Sequence, residues 1–569
     1  KDLNPAKLED DEQPAWRWML KNHLERPVGG NQLAEAFAWR ASEVLDADGC
    51  VALLLPAMTL FKYESAAFRS AFLTRHRLWS VGNFANLAEV LFSRRARLPA
   101  AAIFYSPMPD GAEADVSAML IDVYSPLVAN QPTAYGGPQA HRQKTWNIVV
   151  NSSELQDIAY ASVLGGEPLP WKIAMWGATI DVKVLQTVER NFRTVGDLET
   201  AKELTLSEGP QLRDSLGEKG SNEFHPELIG AATIDLDALK RRRYLLRFPE
   251  GSIRRLAESE VFLSKRAGIK RKLSICQPPH VVVSASRNFA VYSEDFFVVP
   301  ARQIGITSPS GDRSLLKAIA LYLNSDFVTY HQFLTSTESG VQKTRNTLKA
   351  LRSIPLPFDS TTTREWEDLY SRIAYQSAGR DDFDRPELVK KLNDLASEAL
   401  KLSPRARAAV ADLVGIRFGL NQGKMEPSAV GQPPADELQA YGRALADELN
   451  DFIGQSSSTR HRIDILVGSG SGMVAVELVA GVDRPTVSVW AASDPVAQQL
   501  AETQQRLTEQ RAQWLYFNRN LRVYKGSRTY ILKPLQRFHW TRTQAIQDAA
   551  EIIADCLEPE PRDSAGALN

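Results

Sequence analysis

One stretch, residues 272–358, constrains the fold of this 569-residue chain more than any other. Three short runs of β-branched and aromatic residues, His280–Ser284, Phe289–Tyr292 and Phe296–Val299, are separated by polar turns. This pattern predicts antiparallel strands. Apolar residues then recur at helical spacing from Leu315 to Phe327, which predicts an amphipathic helix. The stretch therefore predicts a mixed α+β domain.

A polar loop and a second short helix complete this stretch. Residues 344–349 (TRNTLK) lead into the helix, and IPLPF at 354–358 ends it. Taken in order, the strands, the LYLNS helix, the basic loop and the IPLP terminator resemble the target recognition domain of amino DNA methyltransferases that modify adenine at N6. The resemblance covers residues 272–358 and implies double-stranded DNA as a partner.

The N-terminal region alternates predicted helices and strands. Gln32–Leu45 and Phe61–Arg75 predict helices, because apolar residues recur on one face. Cys50–Pro56 is almost wholly apolar, which predicts a strand buried on both faces of a parallel sheet. Leu78–Phe84 and Ala100–Tyr105 predict two further strands. This succession resembles the second half of the catalytic domain of the same methyltransferase class.

The resemblance implies an enzyme that uses S-adenosylmethionine, with a cofactor pocket and a catalytic (Asn/Asp)-Pro-Pro-aromatic tetrapeptide upstream of Gln32–Leu45. Residues 4–7 (NPAK) lack the second proline and the aromatic residue, and residues 277–280 (QPPH) lie as a turn among the recognition strands. We therefore expect the S-adenosylmethionine pocket to lie mostly outside this chain. An N-terminal methyltransferase half or a companion polypeptide would supply it, and the chain alone is expected to be inactive.

A glycine-rich loop in the C-terminal region resembles a cofactor loop only superficially. Residues 467–473 (VGSGSGM) match a loop that holds a cofactor after a first strand, but alternating apolar residues follow them. A cofactor loop should open a helix, whereas this alternation predicts a strand. We therefore interpret the segment as a hairpin between Ile463–Val467 and Val474–Ala480.

Two aromatic residues at the end of the strand Ala100–Tyr105 are candidates for holding an extruded base. Methylation of an adenine amine requires that the base leaves the duplex and is held between flat or apolar surfaces. Members of the resembled class stack that base on an aromatic side chain near the end of this strand. The resemblance assigns the role to Tyr105, with Phe104 as the alternative, although both rings could be core residues.

A basic cluster precedes the recognition strands. Residues 240–272 carry twelve lysines and arginines and three acidic residues, although the whole chain has a net charge of −1. Such a local excess is typical of a surface that neutralises phosphates, and a solvated charged face is the alternative. The proposed phosphate contacts are Lys240, Arg241, Arg242, Arg243, Arg254, Arg255, Lys270, Arg271 and Lys272.

The loop between the recognition helices is the candidate for reading base edges. Its polar residues are Gln342, Lys343, Arg345 and Asn346. Arginine and asparagine suit bidentate contacts with guanine and adenine, so this loop predicts sequence preference, whereas the basic cluster predicts general affinity for DNA.

The C-terminal third begins with helical periodicity and continues with predicted strands and a long helix at Asp494–Tyr516. Residues 511–547 contain eight lysines and arginines and no acidic residue, interleaved with aromatic residues. This combination suits contacts with nucleic-acid backbone and bases. A packed basic surface that docks an acidic partner domain is the alternative.

The chain as a whole is predicted to be α/β, with four regions. These are a partial Rossmann-like methyltransferase sheet (1–135), a mixed α+β target recognition domain (136–360), a helical region (361–455) and an α+β C-terminal module (456–569). Three scattered cysteines predict reduced, buried thiols in a cytoplasmic protein and no metal site. No apolar run reaches the length of a membrane span.

The leading hypothesis for function is DNA recognition and part of the active site of an adenine-N6 DNA methyltransferase in restriction-modification or phage defence. The alternative is a non-catalytic DNA-binding specificity subunit of a defence complex, whose methyltransferase half is vestigial. Other subunits of a defence system are possible partners under both hypotheses. The two hypotheses differ in whether an N-terminal half or a companion polypeptide supplies the cofactor-binding half.

Overall fold

The structure, a computed structural model, describes residues 3–91, 98–109, 116–129, 147–217, 220–239, 242–264, 273–286, 289–342, 347–359, 361–454, 457–468, 471–480, 487–491, 514–518, 522–525 and 528–557. The chain forms two compact units. Unit 1 contains Lys1–Asp181, Gly340–Gln342 and Ala411–Asn569, and unit 2 contains Val182–Ser339 and Lys343–Val410. Two of the four predicted regions, 136–360 and 361–455, are therefore divided between the units. Helical periodicity indicates a helix but not the unit against which it packs.

The first part of unit 1 is a five-stranded sheet with helices. Its helices are α1 (Gln13–Asn22), α2 (Leu33–Ser42), α3 (Met58–Phe61), α4 (Ala66–Arg75), α5 (Ala88–Leu91) and α6 (Leu169–Trp176). Its strands are β1 (Val51–Pro56), β2 (His76–Asn83), β3 (Ala100–Pro107), β4 (Leu120–Tyr124), β5 (Asn147–Asn151) and β6 (Leu155–Ala159). Five of these six strands form the sheet, in the order β1-β3-β2-β4-β6, and β5 is not part of it. These bounds confirm the helices and strands predicted before residue 108.

The prediction that β1 is buried on both faces of a parallel sheet is wrong. β1 stands at the end of the sheet and pairs antiparallel with β3, from Val51 opposite Tyr105 to Pro56 opposite Ala100. Its side chains alternate between buried and open positions, and Leu54 is 61% exposed. The continuous apolar run therefore forms a strand with one covered face and one apolar face that no described residue covers.

The covered face of this sheet packs on helices α2 and α4 through aromatic side chains. Trp39 of α2 contacts Phe68 and Phe72 of α4 at ring-centroid distances of 5.8 and 5.1 Å. Phe72 in turn contacts Tyr105 of β3 at 4.9 Å. All four rings are buried, so they form the core of the first sheet.

Unit 2 contains several small sheets and helices. Its helices are α7 (Thr179–Asn191), which begins in unit 1, α8 (Val195–Thr200), α9 (Arg313–Tyr322), α10 (Asp326–Thr335), α11 (Leu348–Arg352), α12 (Arg364–Gln376) and α13 (Pro386–Ala399). Its strands are β7 (Thr205–Glu208), β8 (Leu212–Arg213), β9 (Asn222–Phe224), β10 (Ala232–Ile234), β11 (Ile253–Arg255), β12 (Phe262–Ser264), β13 (His280–Val283), β14 (Ala290–Ser293) and β15 (Ile304–Thr307). They form the sheets β14-β13-β15-β7, β8-β12-β9 and β10-β11.

The predicted elements of unit 2 are confirmed in part. The first two runs form β13 and β14, but Phe296–Val299 makes only an isolated bridge between Thr233 and Val298. The next strand of the sheet is β15 instead, which the sequence pattern did not indicate. The predicted helix is broken into α9 and α10, because the Ser325 side chain accepts a hydrogen bond from Val328 N and caps a new helix.

The last part of unit 1 is a second five-stranded sheet with helices. Its helices are α14 (Pro404–Gly415), which begins in unit 2, α15 (Pro427–Val430), α16 (Ala435–Ile453) and α17 (Arg542–Leu557). Its strands are β16 (Thr459–Val467), β17 (Ser471–Ala480), β18 (Val487–Ala491), β19 (Trp514–Asn518), β20 (Arg522–Lys525) and β21 (Arg528–Pro534). The order is β18-β16-β17-β21-β20, while β19 pairs with β5. The core lies between this sheet and α16 and α17.

The hairpin prediction is confirmed, because β16 and β17 pair antiparallel across the glycine-rich loop. The long helix predicted at Asp494–Tyr516 lies mostly outside the described residues, and its last residues belong to the strand β19. Buried thiols were predicted, but Cys50 and Cys556 are exposed and only Cys276 is buried. Within the described ranges, no helix is long and apolar enough to cross a membrane.

Candidate nucleic-acid interface

Tyr105 lies in the core of the first sheet. Its ring is fully buried and makes edge contacts with Phe72 at 4.9 Å and His76 at 5.4 Å. Its hydroxyl donates a hydrogen bond to the Ala38 carbonyl at 3.3 Å, and burial raises the pKa of Tyr105 to about 12. A base could stack on this ring only if neighbouring side chains moved, so the stacking role of Tyr105 stays a prediction.

Phe104 lies on the opposite, open face of β3, because side chains alternate along a strand. Its ring is half-buried and contacts Trp79 of β2 at 5.6 Å. Trp79 is 40% exposed. With Leu54 of β1, these residues give the first sheet an exposed apolar and aromatic face, which we call the open face.

Sequence reasoning missed Trp79. The pairing of β2 with β3 shifts register between Leu78 and Ser80, which is a β-bulge at Trp79. A bulge redirects one side chain of a strand, and bulges are enriched beside functional sites. The bulge depends on pairing with a distant strand and therefore leaves no local signal in the sequence.

Four of the proposed phosphate contacts lie among the described residues: Arg242, Arg243, Arg254 and Arg255. Lys240, Arg241, Lys270, Arg271 and Lys272 lie outside them. Arg254 donates to Glu260 at 2.8 Å, and this hydrogen bond is the largest cause that lowers the pKa of Glu260. Arg255 donates to the Gly230 carbonyl at 3.1 Å. Both guanidinium groups already have protein partners.

A distant acidic segment pairs with the basic residues between Arg242 and Arg247. Arg242 lies 3.5 Å from Asp382, and Arg247 donates to Asp381 at 2.6 Å. The backbone of this segment also pairs with the same loop, since Leu246 N donates to the Asp381 carbonyl. Local charge counting could not detect these partners, because they lie far along the chain. A DNA phosphate would have to compete with these acidic partners at Arg242 and Arg247, which are exposed as Arg243 is.

The predicted reading loop is described only at its start. Gln342 is half-buried, while Lys343, Arg345 and Asn346 lie outside the described residues. After the loop, the Thr347 hydroxyl accepts a hydrogen bond from Ala350 N and caps α11. This N-cap confirms the predicted helix start but does not test the base-reading role.

The basic and aromatic stretch of residues 511–547 is largely used in packing where it is described. Phe538 and Trp540 are buried, and Lys533 pairs with the buried Asp548. Arg537 donates to Glu437 through two nitrogens. The acidic partners therefore belong to the same unit as the basic residues.

Glu35 is a buried acid beside Gly29–Asn31. Its carboxylate accepts hydrogen bonds from Gly29 N at 2.6 Å and from the Ser65 hydroxyl at 2.5 Å. Burial is the largest influence and raises its pKa to about 7, while the hydrogen bonds act in the opposite direction. Its two donors support a structural role. Within the described part of the chain, no cluster of three or more His, Cys, Asp or Glu residues could hold a metal ion.

Comparisons with known proteins give limited similarity. No protein-family model matches the chain. A cysteine–tRNA ligase of Polaromonas naphthalenivorans (strain CJ2) is 31% identical over 168 residues, which are 28% of this chain and 33% of that protein. The structure of the type IIG restriction endonuclease BpuSI aligns with this chain at a TM-score of 0.24 and 11% sequence identity. The alignment covers 70% of this chain and 52% of the BpuSI chain. The chain thus spans less than two thirds of each protein, and neither similarity identifies its family.

Proposed function

We propose that the chain carries the DNA-recognition part and one half of a Rossmann-like catalytic sheet of an S-adenosylmethionine-dependent adenine-N6 DNA methyltransferase. Restriction-modification or phage defence would be its setting. The structural observation that carries this proposal is the open face of the first sheet. The resemblance of residues 272–358 to target recognition domains supplies the DNA-binding role.

The open face has the properties of a surface that another polypeptide segment covers. Leu54 and Trp79 are 61% and 40% exposed, and Phe104 lies on β3, the strand between β1 and β2. Beyond β3, β1 pairs with no other described strand. An apolar edge strand without protection is an aggregation hazard that natural proteins avoid. An N-terminal methyltransferase half or a companion polypeptide would remove this hazard by covering the face.

The glycine-rich loop does not have the features of a loop that holds S-adenosylmethionine. The glycine-rich loop at residues 467–473 joins two strands and opens no helix, so it lacks the helix N-terminus of a cofactor loop. We therefore place the pocket on the covering polypeptide and assign no step of the reaction to this chain through the cofactor.

The chain's own residues would bind DNA and hold the extruded base. Arg243 and the remaining members of the basic cluster would contact phosphates, and the loop from Gln342 to Asn346 would read bases. Phe104 or Tyr105 would stack on the adenine, and the exposure of Phe104 favours the former in the present conformation.

Mapping of methylated adenines in genomic DNA tests this function. Cells that carry the intact system should show N6-methyladenine at one recurring sequence, and deletion of this chain should abolish it. If the intact system produces no such modification while the chain still binds DNA, the alternative is favoured, namely a non-catalytic specificity subunit of a defence complex. The glycine-rich loop that joins β16 and β17, instead of opening a helix, is the observation that supports this alternative.

A further inference from the structure

The chain passes between its two units four times. It leaves unit 1 after Asp181, returns for Gly340–Gln342, and returns again at Ala411. We call residues 176–181, 340–342 and 411–417 the crossing segments. Hydrogen bonds and charge interactions within unit 1 connect all three.

Arg417 provides the first connection. Its side chain is 9% exposed, and its Nη1 donates to the Trp176 carbonyl at 2.7 Å and to the Gly177 carbonyl at 3.4 Å. Trp176 is the last residue of α6, and the last carbonyls of a helix have no partner within the helix. A cation at this end also interacts favourably with the helix dipole. Arg417 therefore joins the returning segment to the outgoing one.

Trp176 provides the second connection. Its indole Nε1 donates to the Gly340 carbonyl at 2.9 Å, and its ring is fully buried. Trp176 thus accepts a hydrogen bond from Arg417 and also binds the short segment Gly340–Gln342. Through Trp176, all three crossing segments are linked.

The charges of three carboxylates, two of them buried and one half-buried, act on Arg417. Burial lowers the pKa of Arg417, and the charges of Asp181, Glu154 and Asp412 oppose this shift. Two of these acids, Asp181 and Asp412, belong to the crossing segments themselves. The third, Glu154, follows β5 in the N-terminal part of unit 1.

Each carboxylate is also fixed by its own donors. Asp181 accepts a hydrogen bond from Ala178 N at 2.6 Å, and Asp412 accepts from Thr543 N at 2.8 Å and its hydroxyl at 2.7 Å. Glu154 accepts from Leu127 N at 2.7 Å and from Asn151 N at 2.9 Å. The carboxylates cannot easily reorient, so loss of the guanidinium would remove a positive charge that acts on all three of them.

We propose that Arg417 is a positioning residue that holds the three crossing segments together as one rigid junction. Gln342, a predicted base-reading residue, belongs to the crossing segments, so a rigid junction would fix its position within unit 1. Only the positioning of base-reading residues rests on the proposed function. The junction itself is independent of any chemistry.

Hydrogen exchange of the full chain, followed by mass spectrometry, tests this role. Arg417→Met should accelerate amide exchange in peptides that cover all three crossing segments on the order of tenfold, while β2 and β3 keep their protection. Arg417→Lys should produce a smaller increase in the same peptides, because lysine keeps the charge but lacks the planar fork. A merely structural loss of stability would raise exchange throughout unit 1.

Arg537→Met is the matched control. Arg537 also lies in unit 1 and also joins a carboxylate, Glu437, and a carbonyl, that of Ser428, but it contacts none of the crossing segments. Its loss should leave exchange at the crossing segments unchanged.

Exchange that rises only around residue 417, or equally across unit 1, would overturn the role of Arg417. If Arg417→Met does not fold, the comparison of Arg417→Lys with the unaltered chain decides in the same way. Neither DNA nor methyl donor enters the measurement, so its failure differs from a failure of the proposed function.

Discussion

The two five-stranded sheets of unit 1 differ in the face that is not packed on helices. On β1, β3 and β2 the first sheet presents Leu54, Phe104 and Trp79, which are apolar or aromatic, and on β4 and β6 it presents the exposed Asp122 and Asp157. The second sheet presents a network of ion pairs, in which Arg462 contacts Asp464 at 3.2 Å and Glu477 at 2.7 Å.

The ion pairs complete the surface of the second sheet. Arg528 extends this network by donating a hydrogen bond to Glu477 at 3.1 Å. The indole nitrogen of Trp490 lies 3.5 Å from a carboxylate oxygen of Asp464. Charged side chains protect an exposed sheet. The second sheet therefore has the character of a finished surface, whereas the first is the surface that we propose another polypeptide covers.

The largest effect is expected in the core of the first sheet. Tyr105→Ala should lower the free energy of unfolding by about 3–5 kcal/mol, because it removes a fully buried ring. Phe104→Ala should cost less than about 1 kcal/mol, because that ring is half-exposed. Chemical denaturation of both variants measures the difference. Equal losses would contradict the assignment of the two rings to opposite faces.

A second expectation concerns pH. Burial raises the pKa of Glu154 to about 7 from 4.5, so folding favours its protonated form. The resulting stability is fully present below about pH 4.5 and is lost as the pH rises through about 7, which corresponds to about 3 kcal/mol. The variant Glu154→Gln should flatten the decrease of the unfolding free energy between these pH values. An unchanged slope would show that another group causes it.

Local elements of both sheets could be predicted from the sequence, but their pairing could not. The apolar run of β1 and the glycine hairpin at residues 467–473 were predictable, because side-chain periodicity and turn residues are local properties. The exposure of Trp79 depends on a bulge against β3, and the pairing of Arg247 with Asp381 joins residues far apart in sequence. Both properties appear only after the chain has folded.

The smallest expected effect concerns DNA affinity. Arg243→Glu should weaken binding to all duplex sequences and reduce the slope of log K against log salt by about one, as one phosphate contact is lost. Arg254→Glu should change the slope less, because Arg254 already donates to Glu260. Fluorescence anisotropy at several salt concentrations measures both slopes. Identical slopes for Arg243→Glu and the unaltered chain would exclude the phosphate role of Arg243.

The difference between the two sheets is tested most directly by one pair of substitutions in cells that carry the intact system. Leu54→Asp places a charge on the open face, and Trp490→Asp places the same charge on the finished face of the second sheet. Leu54 is 61% exposed and Trp490 is 57% exposed, so neither change should unfold the chain. Long-read sequencing would quantify N6-methyladenine at the recurring target sequence. We predict that Leu54→Asp abolishes methylation and that Trp490→Asp preserves it. Normal methylation in Leu54→Asp would contradict the claim that another polypeptide completes the first sheet.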